Sequence, residues 1–194
     1  MMNNQKRRST FEYFEKFSKN SDPYAALINS YTWVPILGVV STSNVEYTKA
    51  VENPPAFAEL VANTQFLGNT PRISTTSDFI QELKKLNPSG SRQLFMSFSH
   101  KNSADFMETI YAISGSIYKR PTLPLTLTWS ISFQPLSKKT QALSSETGGN
   151  SLGLDGTDDV TVVLLTATWS SVTGDAEVER AAKDILEEVL VEAK

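Results

Sequence analysis

Hydrophobic and polar residues alternate most regularly between Leu125 and Gln134, in the segment LTLTWSISFQ. Successive side chains of a strand point to opposite faces of its sheet, so this period of two predicts a strand that is buried on one side. The apolar side carries Leu125, Leu127, Trp129, Ile131 and Phe133, and the other side carries Thr126, Thr128, Ser130, Ser132 and Gln134. A solvated strand face usually carries Lys and Glu. The short uncharged side chains here are therefore compatible with two interpretations. The face either contacts another molecule or is an ordinary solvent-exposed face rich in Thr and Ser.

The same periodicities predict further elements along the chain. Strands are predicted over residues 26–34, 38–47, 92–99 and 159–169, and residues 66–74 are predicted to be extended. Helices are predicted after Pro54-Pro55, from Thr75 onward, from Asn102 or Ser103 to Arg120, and from Asp175, which is predicted to cap the last helix. Residues 137–159 form a polar stretch that glycines interrupt, and no helix or strand is predicted within it.

These elements predict an α+β fold with a largely antiparallel sheet. Neighbouring strands are joined by connections too short for a parallel crossover, and the helices have the apolar stripes needed to cover one face of the sheet. The other face is expected to be open. With 194 residues the chain fits one domain, predicted over residues 21–194. Residues 1–20 are predicted to be a poorly ordered or connecting segment, with a short amphipathic helix over residues 11–17 as the alternative.

Composition excludes several classes of function. A net charge of −3 makes nucleic acid an unfavourable partner, and the absence of cysteine excludes disulfides and thiolate chemistry. The longest aliphatic run, Val162 to Leu165, is far too short for a membrane span, and no apolar stretch follows the basic amino end. We therefore expect neither a membrane span nor a signal peptide, and a cytoplasmic location by default.

Few residues offer catalytic chemistry. His100 is the one histidine, and a surface role is favoured over a catalytic one because no second ligand or nucleophile motif accompanies it. No metal site is predicted. The segment Gly148 to Leu154 lacks the spacing of a phosphate loop and is interpreted as a tight loop, in which Asn150 binds either its own backbone or a ligand. Tyr31, on a predicted strand beside Asn29, is the best candidate among the tyrosines for acid–base work.

Several pieces, in their order along the chain, resemble one protein family. They are SDPYAA before the first strand, YTK and NPPAF after the second, Asn69-Thr70, the strand end SFQPL at residues 132–136, GGNSLGL at residues 148–154, and Thr168-Trp169 before an acidic helix. Together they resemble the substrate domain of fungal FAD-linked oxidases of the berberine-bridge-enzyme type, in the vanillyl-alcohol-oxidase flavoprotein superfamily. The resemblance covers nearly the whole chain from Asp22.

The resemblance implies an antiparallel sheet, backed by helices, whose open face covers the flavin ring of an FAD-binding domain. It implies that the substrate- or flavin-facing residues are Tyr31, Thr128, Ser130, Ser132, Gln134, Asn150, Thr166 and Thr168. The family's flavin-attachment residues and its carboxy-terminal Tyr-Gly-Asn and Tyr-Asp-Pro segments have no counterpart here, and Thr147 stands where the family commonly has Arg.

The sequence therefore leads to two hypotheses of different classes. The first is a truncated substrate domain of an FAD-dependent oxidase of a small, secondary-metabolite substrate, which binds no FAD alone and takes an FAD-binding domain in trans. The second is a non-catalytic module whose open sheet face binds a ligand or a protein. A decayed gene product without activity is the third interpretation.

Overall fold

The computed structural model describes residues 4–19, 22–64, 68, 70–86, 89–149, 151, 154 and 156–194. Its elements are α1 (Asn4–Lys19), β1 (Ala25–Val34), β2 (Gly38–Tyr47), α2 (Ala58–Asn63), α3 (Thr76–Leu86), β3 (Arg92–Lys101), α4 (Ala104–Tyr118), β4 (Thr128–Leu136), α5 (Lys138–Ser145), β5 (Val160–Trp169) and α6 (Asp175–Glu192). Short 3-10 turns at Pro55–Phe57 and Val172–Gly174 precede α2 and α6.

The five strands form one sheet in the order β2-β1-β4-β5-β3, and every neighbouring pair is antiparallel. β1 and β2 form a hairpin, whereas β4 lies between β1 and β5 at the centre. The predicted α+β class with an antiparallel sheet is confirmed. The predicted bounds of β2 match the structure, and those of β1 and β5 differ by one residue at the amino end.

The core lies on one side of this sheet. Trp129, Ile131 and Phe133 point from β4 into it and are almost fully buried. The helices supply the other half through Phe11 of α1, Met107 of α4 and Ile185 of α6, among other residues. Each large apolar side chain that is removed from water in this way contributes about 1.5–3 kcal/mol to stability. The indole Nε1 of Trp129 donates to Ser114 Oγ of α4 at 2.8 Å, so its polar atom is satisfied inside the core.

The central strand begins later than the sequence predicts. β4 starts at Thr128, and Leu125 is 93% exposed instead of lying on the apolar side of a strand. Leu127 is buried, although it precedes the strand. The backbone N–H of Leu127 donates to Pro124 O at 3.0 Å in a turn, which breaks the alternation before β4 begins.

The amino-terminal segment is a helix and not a poorly ordered start. α1 extends from Asn4, well beyond the short amphipathic helix that is the alternative prediction, and Phe11 and Phe14 are fully buried. The ring of Phe11 packs on Tyr31 and Phe133 with centroids 5.2 and 5.3 Å away, so α1 is part of the main core. Phe11 and Phe14 are one helical turn apart, which places them on the same side of α1.

Two further elements depart from the predicted pattern. α5 forms inside the polar stretch over residues 137–159, where the sequence predicts no helix, and Ser137 Oγ accepts a hydrogen bond from the N–H of Thr140 as its N-cap. α3 forms over the predicted residues, but Ile80 and Leu83 of its apolar stripe are exposed. Residues 70–74 have no regular structure, and the rest of the predicted extended segment over 66–74 includes residues outside the described part of the chain.

Asp175 begins the last helix but does not cap it. The N-cap position belongs to Gly174, and the Asp175 carboxylate accepts from Trp169 Nε1 at 2.9 Å and pairs with Arg92. The guanidinium of Arg92 therefore lowers the pKa of the Asp175 carboxyl. This cluster connects β3, β5 and α6 at one end of the sheet.

Gly174 is predicted to be intolerant of a larger side chain. A Cβ at this position would lie 2.4 Å from Cγ of Pro124, whose ring has little room to move. We expect Gly174→Ala to lower the free energy of unfolding by about 1–3 kcal/mol, as overpacking does. Chemical denaturation followed by circular dichroism measures this. Gly68→Ala is the matched control, because a Cβ there meets nothing within 4 Å, and equal losses in the two variants would contradict the prediction.

Candidate functional site: the open face of the sheet

The second side of the sheet, which we call the open face, is formed by the strand residues that alternate with the core residues. Helices α1, α4 and α6 contribute to the core on the opposite side, and the central side chains of the open face are half-buried. The register places Ser30 of β1 beside Ser132 of β4, Ser132 beside Leu164 of β5, and Leu164 beside Ser97 of β3. A row of three serines and Leu164 therefore crosses four strands of the sheet.

The hydroxyl groups at the centre of the open face are paired with one another. Ser30 Oγ lies 2.7 Å from Ser132 Oγ, and Thr32 Oγ1 lies 2.9 Å from Ser130 Oγ. Each hydroxyl has one donor and two acceptor positions, so these pairs leave further hydrogen-bonding capacity toward solvent or a bound molecule. The centre of the open face between β1 and β4 therefore presents short side chains that carry hydroxyl groups.

Charge is almost absent from the open face. Among its strand residues only Glu46 and Lys101 are charged; both lie near strand ends, and Lys101 Nζ pairs with Asp158 at 2.8 Å. Apolar side chains take part instead: Val40 is 42% exposed, Leu164 36% and Phe95 65%. A sheet face with so little charge and with exposed apolar groups is typical of a surface that contacts another molecule.

Six of the predicted site residues lie on this one face. Thr128, Ser130, Ser132 and Gln134 come from β4, and Thr166 and Thr168 come from β5, where Thr128 pairs with Thr168 and Ser130 with Thr166. Asn150 lies outside the described residues. Sequence reasoning missed the hydroxyls of Ser30 and Thr32, although the alternation in β1 contains the signal that places them together.

Tyr31 departs from the predicted placement. It lies on the helix-covered side with 0% exposure, against Phe11, Tyr111 and Phe133. Burial raises the pKa of the Tyr31 phenol, and the negative charge of Glu108 raises it further. In the described part of the chain its hydroxyl is buried without a hydrogen-bond partner. Tyr31 is therefore a packing residue remote from the open face.

His100 also lies on the helix side, at the end of β3. Its Nδ1 is 2.7 Å from the carbonyl oxygen of Lys101, so Nδ1 must carry the proton of that hydrogen bond. Nε2 is buried without a partner among the described residues, and the ring packs on Phe106. Burial lowers the pKa of the His100 imidazole, while the hydrogen bond to Lys101 opposes that shift.

The described residues contain no group of three or more His, Asp or Glu side chains that could hold a metal ion. Within the same residues, no helix combines the length and apolar character needed to span a bilayer. The open face is therefore the candidate binding surface of the described residues.

Comparison with known proteins gives three similar sequences. The chain is 26% identical to FAD-dependent monooxygenase drtC of Aspergillus calidoustus over 182 residues, covering 89% of this chain and 34% of that protein. It is 25% identical to FAD-dependent monooxygenase FUP4 of Fusarium proliferatum, covering 74% of this chain and 30% of that protein. It is also 23% identical to oligopeptidase PhomG' of Diaporthe leptostromiformis, covering 89% of this chain and 14% of that protein. The chain thus spans about a third of the two monooxygenases.

The fold is shared with part of a solved oxidase. The structure superimposes on 6-hydroxy-D-nicotine oxidase from Arthrobacter nicotinovorans with a TM-score of 0.59, at 11% sequence identity, covering 96% of this chain and 39% of that one. No protein-family model matches the sequence. The solved oxidase therefore shares the fold of this chain, and two of the similar sequences are FAD-dependent monooxygenases.

The buried phenol of Tyr31 makes a test of its role possible. We expect Tyr31→Phe to raise the free energy of unfolding by about 1 kcal/mol, because it removes a buried hydroxyl that has no partner in the described part of the chain. Tyr13→Phe is the matched control, because Tyr13 OH donates to Ala56 O at 2.7 Å. That variant should lose about 1 kcal/mol in the same urea titration. An equal loss in both variants would show that Tyr31 OH has a partner.

The single histidine predicts a pH dependence of stability. The pKa of His100 in the folded chain lies below the ordinary value of 6.5. As the pH falls through 6.5, the unfolded chain therefore binds a proton that the folded chain does not yet bind, and the free energy of unfolding decreases. Glu15 and Asp175, whose pKa values are lowered from 4.5 and 3.8, titrate below that window. We expect the free energy of unfolding to fall between about pH 7 and pH 5 in the natural chain and to fall less in His100→Gln. Parallel curves for the two proteins would refute the assignment.

Proposed function

We propose that this chain is the substrate domain of an FAD-dependent oxidoreductase, with its open face covering the flavin ring and a small substrate. The observation that carries the proposal is the half-buried hydroxyl surface around Ser130, Ser132 and Thr166, which is almost free of charge. The likeness to two FAD-dependent monooxygenases over most of this chain supports it.

The open face fits one part of FAD and not the whole molecule. A planar ring and a small substrate suit a surface of paired hydroxyls, in which Ser30, Ser132 and Ser130 retain hydrogen-bonding capacity. A pyrophosphate needs cationic or N–H partners, and the two charged strand residues of this face are Glu46 and Lys101, of which Lys101 pairs with Asp158. We therefore infer that the dinucleotide portion is held by another domain, in the same polypeptide or in trans.

FAD held by the rest of the complete enzyme would supply the oxidising power as a hydride acceptor. The residues of this chain orient the substrate and exclude water. Ser130, Ser132 and Thr168 supply short hydrogen-bonding groups, and Leu164 and Phe95 supply apolar contact. No strand residue of the open face has an ordinary pKa near neutrality. The proton acceptor of the reaction is therefore expected to come from the remainder of the enzyme.

Two finer features belong to the same proposal. The sequence motifs at residues 132–136 and 148–154 favour the berberine-bridge-enzyme type, and a fungal secondary metabolite is the class of substrate that follows from it. A non-catalytic module that binds a protein or ligand through the same face is the alternative. The two are distinguished by whether the bound partner carries flavin.

Leu164 provides the sharpest test, because it lies near the middle of the open face and no hydrogen bond of its side chain is lost on substitution. The experiment mixes the chain with the FAD-binding portion of the Aspergillus calidoustus relative and measures complex formation by calorimetry and by the change in flavin absorbance. We expect Leu164→Glu to weaken binding by at least about tenfold, which corresponds to 1.4 kcal/mol. A carboxylate buried against the partner is costly.

Leu190→Glu is the matched control, since Leu190 is 54% exposed on α6, away from the open face. It should bind as the natural chain does. Thermal unfolding of both variants verifies that the fold is kept. Equal binding of the two variants, or binding without any change in the flavin spectrum, would contradict the proposed function.

A further inference from the structure

Within the described part of the chain, the outer edge of β2 is free along its whole length. It pairs with β1 on one side, and it is the terminal strand in the sheet order. Among the described residues, no backbone hydrogen bond joins its outer side to another segment. An edge of ten residues without a partner is a template on which another strand can pair.

The hairpin fixes which backbone groups point outward. The N–H of Thr48 donates to Tyr24 O at 2.9 Å, and this pair continues the register in which Ala25 lies opposite Tyr47. Backbone groups of successive strand residues point alternately to the two neighbours of a strand. The even-numbered residues of β2 therefore bond to β1, and the N–H and C=O groups of its odd-numbered residues, from Val39 to Tyr47, point away from the sheet.

This edge lacks the features by which natural proteins prevent pairing. From Gly38 to Val45 it contains no charged residue and no proline, and it is rich in β-branched residues. Both of its faces are accessible, since Val40 on the open face and Val45 on the helix side are each about 40% exposed. The other terminal strand, β3, differs because it carries Arg92 and Lys101, which pair with Asp175 and Asp158.

We propose that two copies of this chain associate through β2, in antiparallel fashion, to form one continuous sheet. A two-fold axis perpendicular to the sheet keeps each face continuous only if residues on the same face lie opposite each other. Centring the axis on Thr42 satisfies this condition, because it sets Val39 opposite Val45 of the second copy and Ser41 opposite Ser43 of the second copy. Those odd-numbered pairs use the outward N–H and C=O groups.

The charges of β2 are compatible with this register. Glu46 lies opposite Gly38 of the second copy, so the two carboxylates are at opposite ends of the paired strands. Valines meet valines on the helix side and hydroxyls meet hydroxyls. The match of the strand with itself favours a second copy over an unrelated peptide. The two open faces then form one wider surface, and this inference does not depend on what that surface binds.

An engineered cysteine tests the register, because the chain has no cysteine of its own. In this pairing the two Thr42 residues form a non-hydrogen-bonded pair with Cα atoms about 4.5 Å apart, within the range that a disulfide spans. We expect Thr42→Cys to give a covalent dimer under mild oxidation. Light scattering of the unmodified chain should give twice the mass of 21.4 kDa as the concentration rises.

Ser97→Cys is the matched control, because Ser97 is exposed on the same face at the centre of β3. It should form no covalent dimer under the same oxidation, as denaturing electrophoresis without reductant shows. Ser43→Pro removes one outward N–H without removing a hydrogen bond to β1, and it should abolish the dimer while far-ultraviolet circular dichroism stays unchanged. A monomeric mass at all concentrations, masses beyond two chains, or cross-linking at Ser97→Cys equal to that at Thr42→Cys would overturn the proposal.

Discussion

One-sided burial of the sheet is the constraint on which the rest of the structure depends. Trp129, Tyr31 and Phe133 can leave water only if helices cover the face to which they point, and the rings of Phe11 and Tyr111 meet them there. The exposed ion pairs on the helices add little by comparison, because solvent screens them. Because the helices pack on this side, the strand residues that alternate with the core residues form a second surface on the other side of the sheet.

The character of that second surface follows from the alternation and is not required by folding. Lys and Glu would serve equally well there for stability and solubility, yet β4 and β5 carry short hydroxyl groups and Leu164. The hydrogen bonds of Ser30 to Ser132 and of Thr32 to Ser130 connect the hydroxyl groups of β1 to those of β4 on the open face. A flat, uncharged surface of this kind is what the cover of a planar cofactor or of a partner domain needs.

The two terminal strands of the sheet differ in a way that matters for assembly. β3 has Arg92 and Lys101 near its ends and an exposed phenylalanine at position 95, and its cations are bound to carboxylates of neighbouring segments. β2 has an uncharged outer row of N–H and C=O groups. The face and the free edge of β2 therefore offer two different kinds of interaction, one through side chains and the other through the backbone.

The sequence by itself determined the antiparallel α+β fold, the strand positions and the grouping of Ser130, Ser132, Thr166 and Thr168, because a period of two assigns each side chain to a face. It did not determine which side of β1 the helices cover, and Tyr31, the predicted site residue, lies on the covered side, whereas Ser30 and Thr32 lie on the open face. Only the packing of α1 and α4 decided that Tyr31 belongs to the core. The late start of β4 depends on the turn in which Leu127 N–H donates to Pro124 O. α5 depends on the N-cap Ser137 and on the hydrogen bonds of Gln141 to the carbonyl groups of Leu136 and Asp158. Neither the turn nor these hydrogen bonds can be recognised from hydrophobic periodicity. The alternation of residues shows which side chains share one side of a strand. Which of the two sides is buried depends on where the helices pack.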